Sequence, residues 1–148
     1  MKPYRTILCP TDFSEPGRAA LQRARELAGH YGAELILLHV IDYFPGEIPN
    51  DWIPPEDEDP KAYLQSEAER RLQALADELA PFEVRREVLF SDTSARHAIG
   101  DYAARTGVDL VVLASHARHG AFSLLGSTAA GVAHTAPCDV MVVRALRS

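Results

Sequence analysis

Five short runs rich in Ile, Leu and Val alternate with stretches whose apolar residues recur every three to four positions, and this alternation most constrains the fold. Runs of the first kind suit strands and stretches of the second suit amphipathic helices. The strands are predicted at Thr6–Cys9, Glu34–Val40, Val84–Leu89, Leu110–Ala114 and Val140–Val143. Ser14 is a candidate N-cap for the first helix, with Glu15 and Pro16 in its first turn. Ala20, Ala24, Leu27, Ala28 and Tyr31 then share one face, and Gly32 supplies a stop. The second helix is expected from about Lys61 to Leu79, with Leu64, Ala68, Leu72, Leu75, Ala76 and Leu79 on one face and Pro81 beyond its end. Ser94 caps a third helix, whose stripe is Ala95, Ala98, Ile99, Tyr102 and Ala103, with Gly107 after it. A short fourth helix is expected from about Ser127 to Thr135.

Strand–helix alternation with near-continuous apolar strands implies an α/β fold: a parallel sheet covered by helices on both faces. Five strands and four helices in 148 residues suit one doubly wound domain over 1–148. Such sheets bind ligands outside the carboxyl ends of their strands, where strand order reverses.

Residues 43–60 break the pattern. They hold five of the ten prolines, and predict a long surface loop. The bland reading is a solvated insertion; Trp52 and Ile53 are the one hint of a lid or a partner contact. The net charge of −6 is also local: residues 41–60 carry seven acids and no base, and the remainder carries 14 acids against 15 bases. That near-neutral remainder has no basic excess for a nucleic-acid duplex. No apolar run approaches the roughly 18 residues that span a bilayer. The start at Met1 resembles no signal peptide, which predicts a cytoplasmic protein. Cys9 and Cys138 sit in apolar contexts and are expected to be reduced core thiols.

Two strand exits carry polar chemistry. Pro10-Thr11-Asp12-Phe13-Ser14 follows strand one. Asp12 suits a ribose hydroxyl or a ring amine, and equally suits a turn ahead of the first helix. Ser115-His116-Ala117-Arg118-His119-Gly120 follows strand four, and Gly126-Ser127-Thr128 opens the last helix. A helix start rich in Gly, Ser and Thr offers N–H groups and hydroxyls to phosphate, although the same residues are ordinary N-caps. The phosphate loop G-x-x-x-x-G-K-[ST] and the dinucleotide motif G-x-G-x-x-G are absent. His116 and His119 have the spacing of a metal pair, but the sequence places no further ligands. No nucleophile elbow presents a serine. His39, inside strand two, is expected to be a core histidine with a satisfied hydrogen bond.

These residues resemble the universal stress protein family along essentially the whole chain. The marks are Thr6-Ile7-Leu8-Cys9-Pro10-Thr11-Asp12-Phe13-Ser14-Glu15, Leu37-Leu38-His39-Val40, Asp109-Leu110-Val111-Val112, Leu125-Gly126-Ser127-Thr128 and Ala136 through Arg144. The resemblance implies strand order 3-2-1-4-5, with strands one and four flanking the switch point. It implies homodimers joined by antiparallel pairing of the last strand, Val140, Met141, Val142 and Val143. It also implies one of two subclasses, one that binds ATP or AMP and one that does not. The binding subclass resembles G-x2-G-x9-G-[ST]. Here Ala114 and Ala117 stand at the first two glycine positions, and eight residues separate Ala117 from Gly126. A methyl at such a position obstructs close backbone approach and disfavours positive φ. The resemblance carries a nucleotide site onto Pro10, Thr11, Asp12, Val40, Leu113, Ala114, His116, Ala117, Gly126, Ser127 and Thr128, with Mg²⁺ bridging the phosphates. Two functions are expected: an adenine-nucleotide-binding regulator, at most a slow ATPase, or a dimeric interaction module with no small ligand.

Overall fold

A computed structural model describes residues 3–42, 59–115 and 127–144. Its elements alternate β1 (Thr6–Pro10), α1 (Glu15–Tyr31), β2 (Glu34–Asp42), α2 (Pro60–Leu79), β3 (Arg85–Ser91), α3 (Ala95–Thr106), β4 (Leu110–Ser115), α4 (Ser127–Thr135) and β5 (Asp139–Arg144). The strands form one sheet of order β3-β2-β1-β4-β5, and all four neighbouring pairs are parallel. This is the expected 3-2-1-4-5 arrangement.

Strand periodicity divides the core. Ile7, Cys9, Leu35, Leu37, Leu110, Val112 and Ala114 pack with α1 and α2 residues such as Leu21, Ala24, Leu72 and Leu79. Leu8, Ile36, Leu38, Val111 and Leu113 lie in the other cluster, with Ile99, Tyr102, Ala129 and Val132 of α3 and α4. Successive side chains point to opposite faces, so a strand covered on both sides must be apolar at every position. All six residues of β4 are buried accordingly. Each Leu or Ile fully withdrawn from water contributes roughly 1.5–3 kcal/mol.

The helix ends follow their caps. Ser14 Oγ accepts from Gly17 N–H at 3.4 Å, and Ser94 Oγ accepts from His97 N–H at 3.4 Å. Gly32 (φ +66°) and Gly107 (φ +73°) close α1 and α3 in the left-handed region, where a side chain is strained. Helix α2 begins one residue before its expected start. Asp59 caps it, with Oδ1 accepting from Lys61 N–H at 3.3 Å, and Pro60 takes the first turn, where its missing N–H costs nothing. Pro60 therefore belongs to the helix and not to the loop expected over 43–60; residues 43–58 lie outside the described residues. Tyr31, expected in the buried stripe of α1, is 41% exposed at the helix end and meets Tyr4 edge-on.

Candidate functional site

Strands β1 and β4 part early. Their register pairs Ile7 with Leu110 and Leu8 with Val111 only, whereas β1 follows β2 as far as Pro10 beside Leu38. Pro10 explains the asymmetry. Thr11 N–H donates to Leu38 O at 2.8 Å, toward β2. Backbone groups alternate sides along a strand, so Pro10 faces β4, and it has no N–H to extend that ladder. The two strands thus stop pairing near their exits, at the point where strand order reverses and where such sheets commonly take ligands.

The β1 exit is a chain of side-chain turns. Phe13 N–H donates to Thr11 Oγ1 at 3.0 Å, and Ser14 N–H donates to Asp12 Oδ1 at 3.0 Å. Asp12 is exposed and has the turn role that its sequence context allowed. A carboxylate has about four acceptor sites, so the turn does not by itself bar a ribose hydroxyl. On the far side of the loop, His39 Nδ1 lies 2.7 Å from Thr11 O. A carbonyl only accepts, so Nδ1 carries the proton. Burial pushes the His39 pKa down, and the bond to Thr11 opposes that shift. His39 thus has the satisfied hydrogen bond expected of it, but it is half-buried and not part of either core cluster.

Of the other expected site residues, Val40 lies near the end of β2, half-buried against the α3/α4 cluster. Leu113 is 4% exposed in the same cluster, so its side chain belongs to the core. Ala114 is 8% exposed and packs into the α1/α2 cluster. Among the described residues Phe13 is the only non-glycine with positive φ, so the positive-φ objection to a methyl does not apply at Ala114. Thr128 is half-buried in the first turn of α4; Ser127 begins that helix. Pro10, Thr11, Asp12, Val40, Leu113 and Ala114 therefore share the carboxyl edge of three adjacent strands. His116, Ala117 and Gly126 lie outside the described residues, as does His119 of the HxxH pair. Among the described residues no cluster of three or more His, Cys, Asp or Glu side chains could hold a metal, and no helix is long and apolar enough to cross a membrane.

Sequence patterning missed two contributors. The Phe13 ring lies 4.4 Å from the His39 ring, and the Arg71 guanidinium of α2 sits 4.4 Å from the Phe13 centroid. Beside them, a cavity of about 170 Å³ between α1 and α2 is lined by Thr11, Phe13, Ser14, Gly17, Arg71 and Glu78 among others. No periodicity announces a contact between positions 13 and 71. The one available signal was a bulky aromatic inside a turn-forming Thr-Asp-Phe-Ser run.

The family model described as the Universal stress protein family matches residues 3–144. The chain belongs to the universal stress protein family. It is 32% identical to Universal stress protein A homolog 2 of Coxiella burnetii over 145 residues, covering 97% of each chain. The solved structure of protein MJ0577 of Methanocaldococcus jannaschii, named a universal stress protein, superposes with a TM-score of 0.75 at 28% identity, covering 99% of this chain and 100% of that one. Two solved structures that share the fold hold adenine nucleotides: a universal stress protein in complex with cAMP (TM-score 0.67, 24% identity, coverage 97% and 98%) and one from Archaeoglobus fulgidus in complex with dAMP (TM-score 0.66, 16% identity, coverage 95% and 98%). At those identities the likeness is one of fold.

Proposed function

We propose that this universal stress protein is a single-domain, cytoplasmic regulator that binds an adenine nucleotide, ATP or AMP, between the exits of β1 and β4. The parting of those strands at Pro10, with Asp12 on one lip and the start of α4 following the other, carries this proposal. Asp12 would accept from a ribose hydroxyl, with Val40 beside the base. The N–H groups and hydroxyls of Ser127 and Thr128, together with Gly126, would take the phosphates at a helix start that favours negative charge. The loop residues His116 and Ala117 would close the phosphate side. Mg²⁺ arriving with ATP would neutralise charge between phosphates. No described residue stands out as a base for water, so any hydrolysis is slow. The packing of Ala114 into the core supports this proposal, because the methyl spends its volume there.

The binding module without a small ligand is the second reading, favoured by Ala117 and by the eight-residue spacing to Gly126. In either case β5 is a sheet edge with half-buried Val140, Met141, Val142 and Val143, and a second copy pairing there would cover its open backbone groups.

Nucleotide released by denaturing the purified protein, or binding of Mg·ATP by calorimetry, tests the first reading. Neither release nor binding at millimolar ATP refutes it and leaves the second. Light scattering should give twice the 16.2 kDa chain mass; a monomer refutes the pairing of β5.

A further inference from the structure

An aromatic residue in the left-handed region is an outlier that needs a cause. Phe13 is at φ +64°. It sits directly between Asp12 and Ser14, in a loop whose turn bonds leave little freedom: Phe13 N–H goes to Thr11 Oγ1, Ser14 N–H to Asp12 Oδ1, and Thr11 is tied to β2 through both its N–H and its carbonyl. The turn bonds alone do not call for an aromatic, since Gly or Asn adopts this φ at less cost. What the ring adds is contact: His39 of β2 at 4.4 Å and Arg71 of α2 at 4.4 Å.

We propose that the Arg71–Phe13–His39 cluster is a positioning device that clamps the β1–α1 turn and so holds the Asp12 carboxylate at the β1 exit. The clamp spans three elements. His39 fixes the turn to the sheet through the Thr11 carbonyl, Phe13 transmits that fixation, and Arg71 ties the ring to α2. A cation over a ring is attracted by the ring's negative face, and the attraction grows when water is excluded. Within the described residues Arg71 is in no ion pair, whereas its neighbour Arg70 bonds Glu67 and Arg18 bonds Glu78. Glu67, one turn earlier on α2, feels the Arg71 charge but is hydrogen-bonded by Arg70, which leaves the Phe13 ring as the contact seen for the Arg71 guanidinium. The consequence for ligand affinity rests on the nucleotide-binding proposal, but the clamp itself does not.

The test measures amide hydrogen exchange at Phe13 and Ser14 by NMR, together with Mg·ATP affinity, in the full chain and in Phe13→Tyr, Phe13→Gly, Arg71→Lys and Arg71→Ala. Exchange at both amides should accelerate about two- to five-fold in Arg71→Ala, the size of one exposed cation–ring contact, and more in Phe13→Gly. Phe13→Tyr and Arg71→Lys should keep most of the protection. Affinity for Mg·ATP should fall in parallel with exchange while circular dichroism and the exchange of β4 amides stay unchanged. Unchanged exchange at Phe13 and Ser14 in both Arg71→Ala and Phe13→Gly overturns the clamp. Accelerated exchange with undiminished ATP affinity overturns its role in positioning Asp12. A wild-type chain that binds no ATP defeats the nucleotide proposal alone, and the exchange data still decide the clamp.

Discussion

Asp12 has an observed turn role and a proposed ligand role, and two variants divide them. Its Oδ1 accepts from Ser14 N–H at 3.0 Å, an exposed turn bond. Removing it by Asp12→Ala should cost about 0.5–1.5 kcal/mol. For a chain of 148 residues that lowers Tm by roughly 1–6 °C, at about 2–4 °C per kcal/mol. Asp12→Asn keeps an acceptor in the same place and should cost less than about 0.5 kcal/mol. Ligand binding divides the variants differently. A ribose hydroxyl bonded to a carboxylate contributes about 1.5–3 kcal/mol, so losing it weakens binding by roughly 10- to 150-fold. Asn retains a neutral acceptor and should sit between the wild type and Ala. With ATP at about 100 times its Kd, linkage stabilises the wild type by about 2.7 kcal/mol, a rise of roughly 5–11 °C. At the same ATP concentration the Ala variant should lose about half to nine-tenths of that rise. Differential scanning fluorimetry with and without Mg·ATP reads both effects in one experiment. If Asp12→Ala lowers the ligand-free Tm yet keeps the full ATP-induced rise, Asp12 is a turn residue only and the proposed nucleoside contact is wrong.

The remaining predictions concern stability and reactivity. Gly32→Ala, at φ +66°, should destabilise by about 1–2 kcal/mol, whereas Gly100→Ala, inside α3 with no heavy atom within 4 Å of the new methyl, should stabilise by about 0.5–1 kcal/mol; urea titration of both variants checks the contrast. The Cys9 thiol, fully buried with its pKa pushed up to about 12, should resist alkylation at pH 8 in the native state, while half-buried Cys138 reacts first; mass spectrometry after a timed iodoacetamide pulse reads the order. His39 has a folded pKa below its ordinary value of 6.5, so its neutral form is favoured by folding and the unfolded chain binds more protons. Its contribution is complete above about pH 6.5 and is lost as pH falls through the folded pKa. His39→Gln should flatten the acid limb of stability against pH, and an unchanged limb would assign it to other groups.

Much of the fold was legible because its determinants are local. A strand buried on both faces must be apolar throughout, which Leu110–Ala114 shows in the bare sequence. Capping acts within a turn of chain, so Ser14, Ser94, Gly32 and Gly107 marked helix ends before any tertiary contact was known. The strand order came through family likeness and not from periodicity, since alternation alone leaves several windings open. Pro60 shows the limit of composition: a proline-rich stretch suggested a loop to its last residue, yet a proline is at home in a first helical turn.

The sequence by itself determined which residues form strands and helices, the chemistry available at the two strand exits, and the family. Tertiary structure alone decided where β1 leaves β4, which core takes the Ala114 methyl, and that Arg71 of α2 meets Phe13. The physical reason is range. Hydrogen-bonding capacity, backbone preference and apolar periodicity act over a few residues, whereas the direction of a side chain and its partner across the sheet are fixed only when distant segments pack at close range.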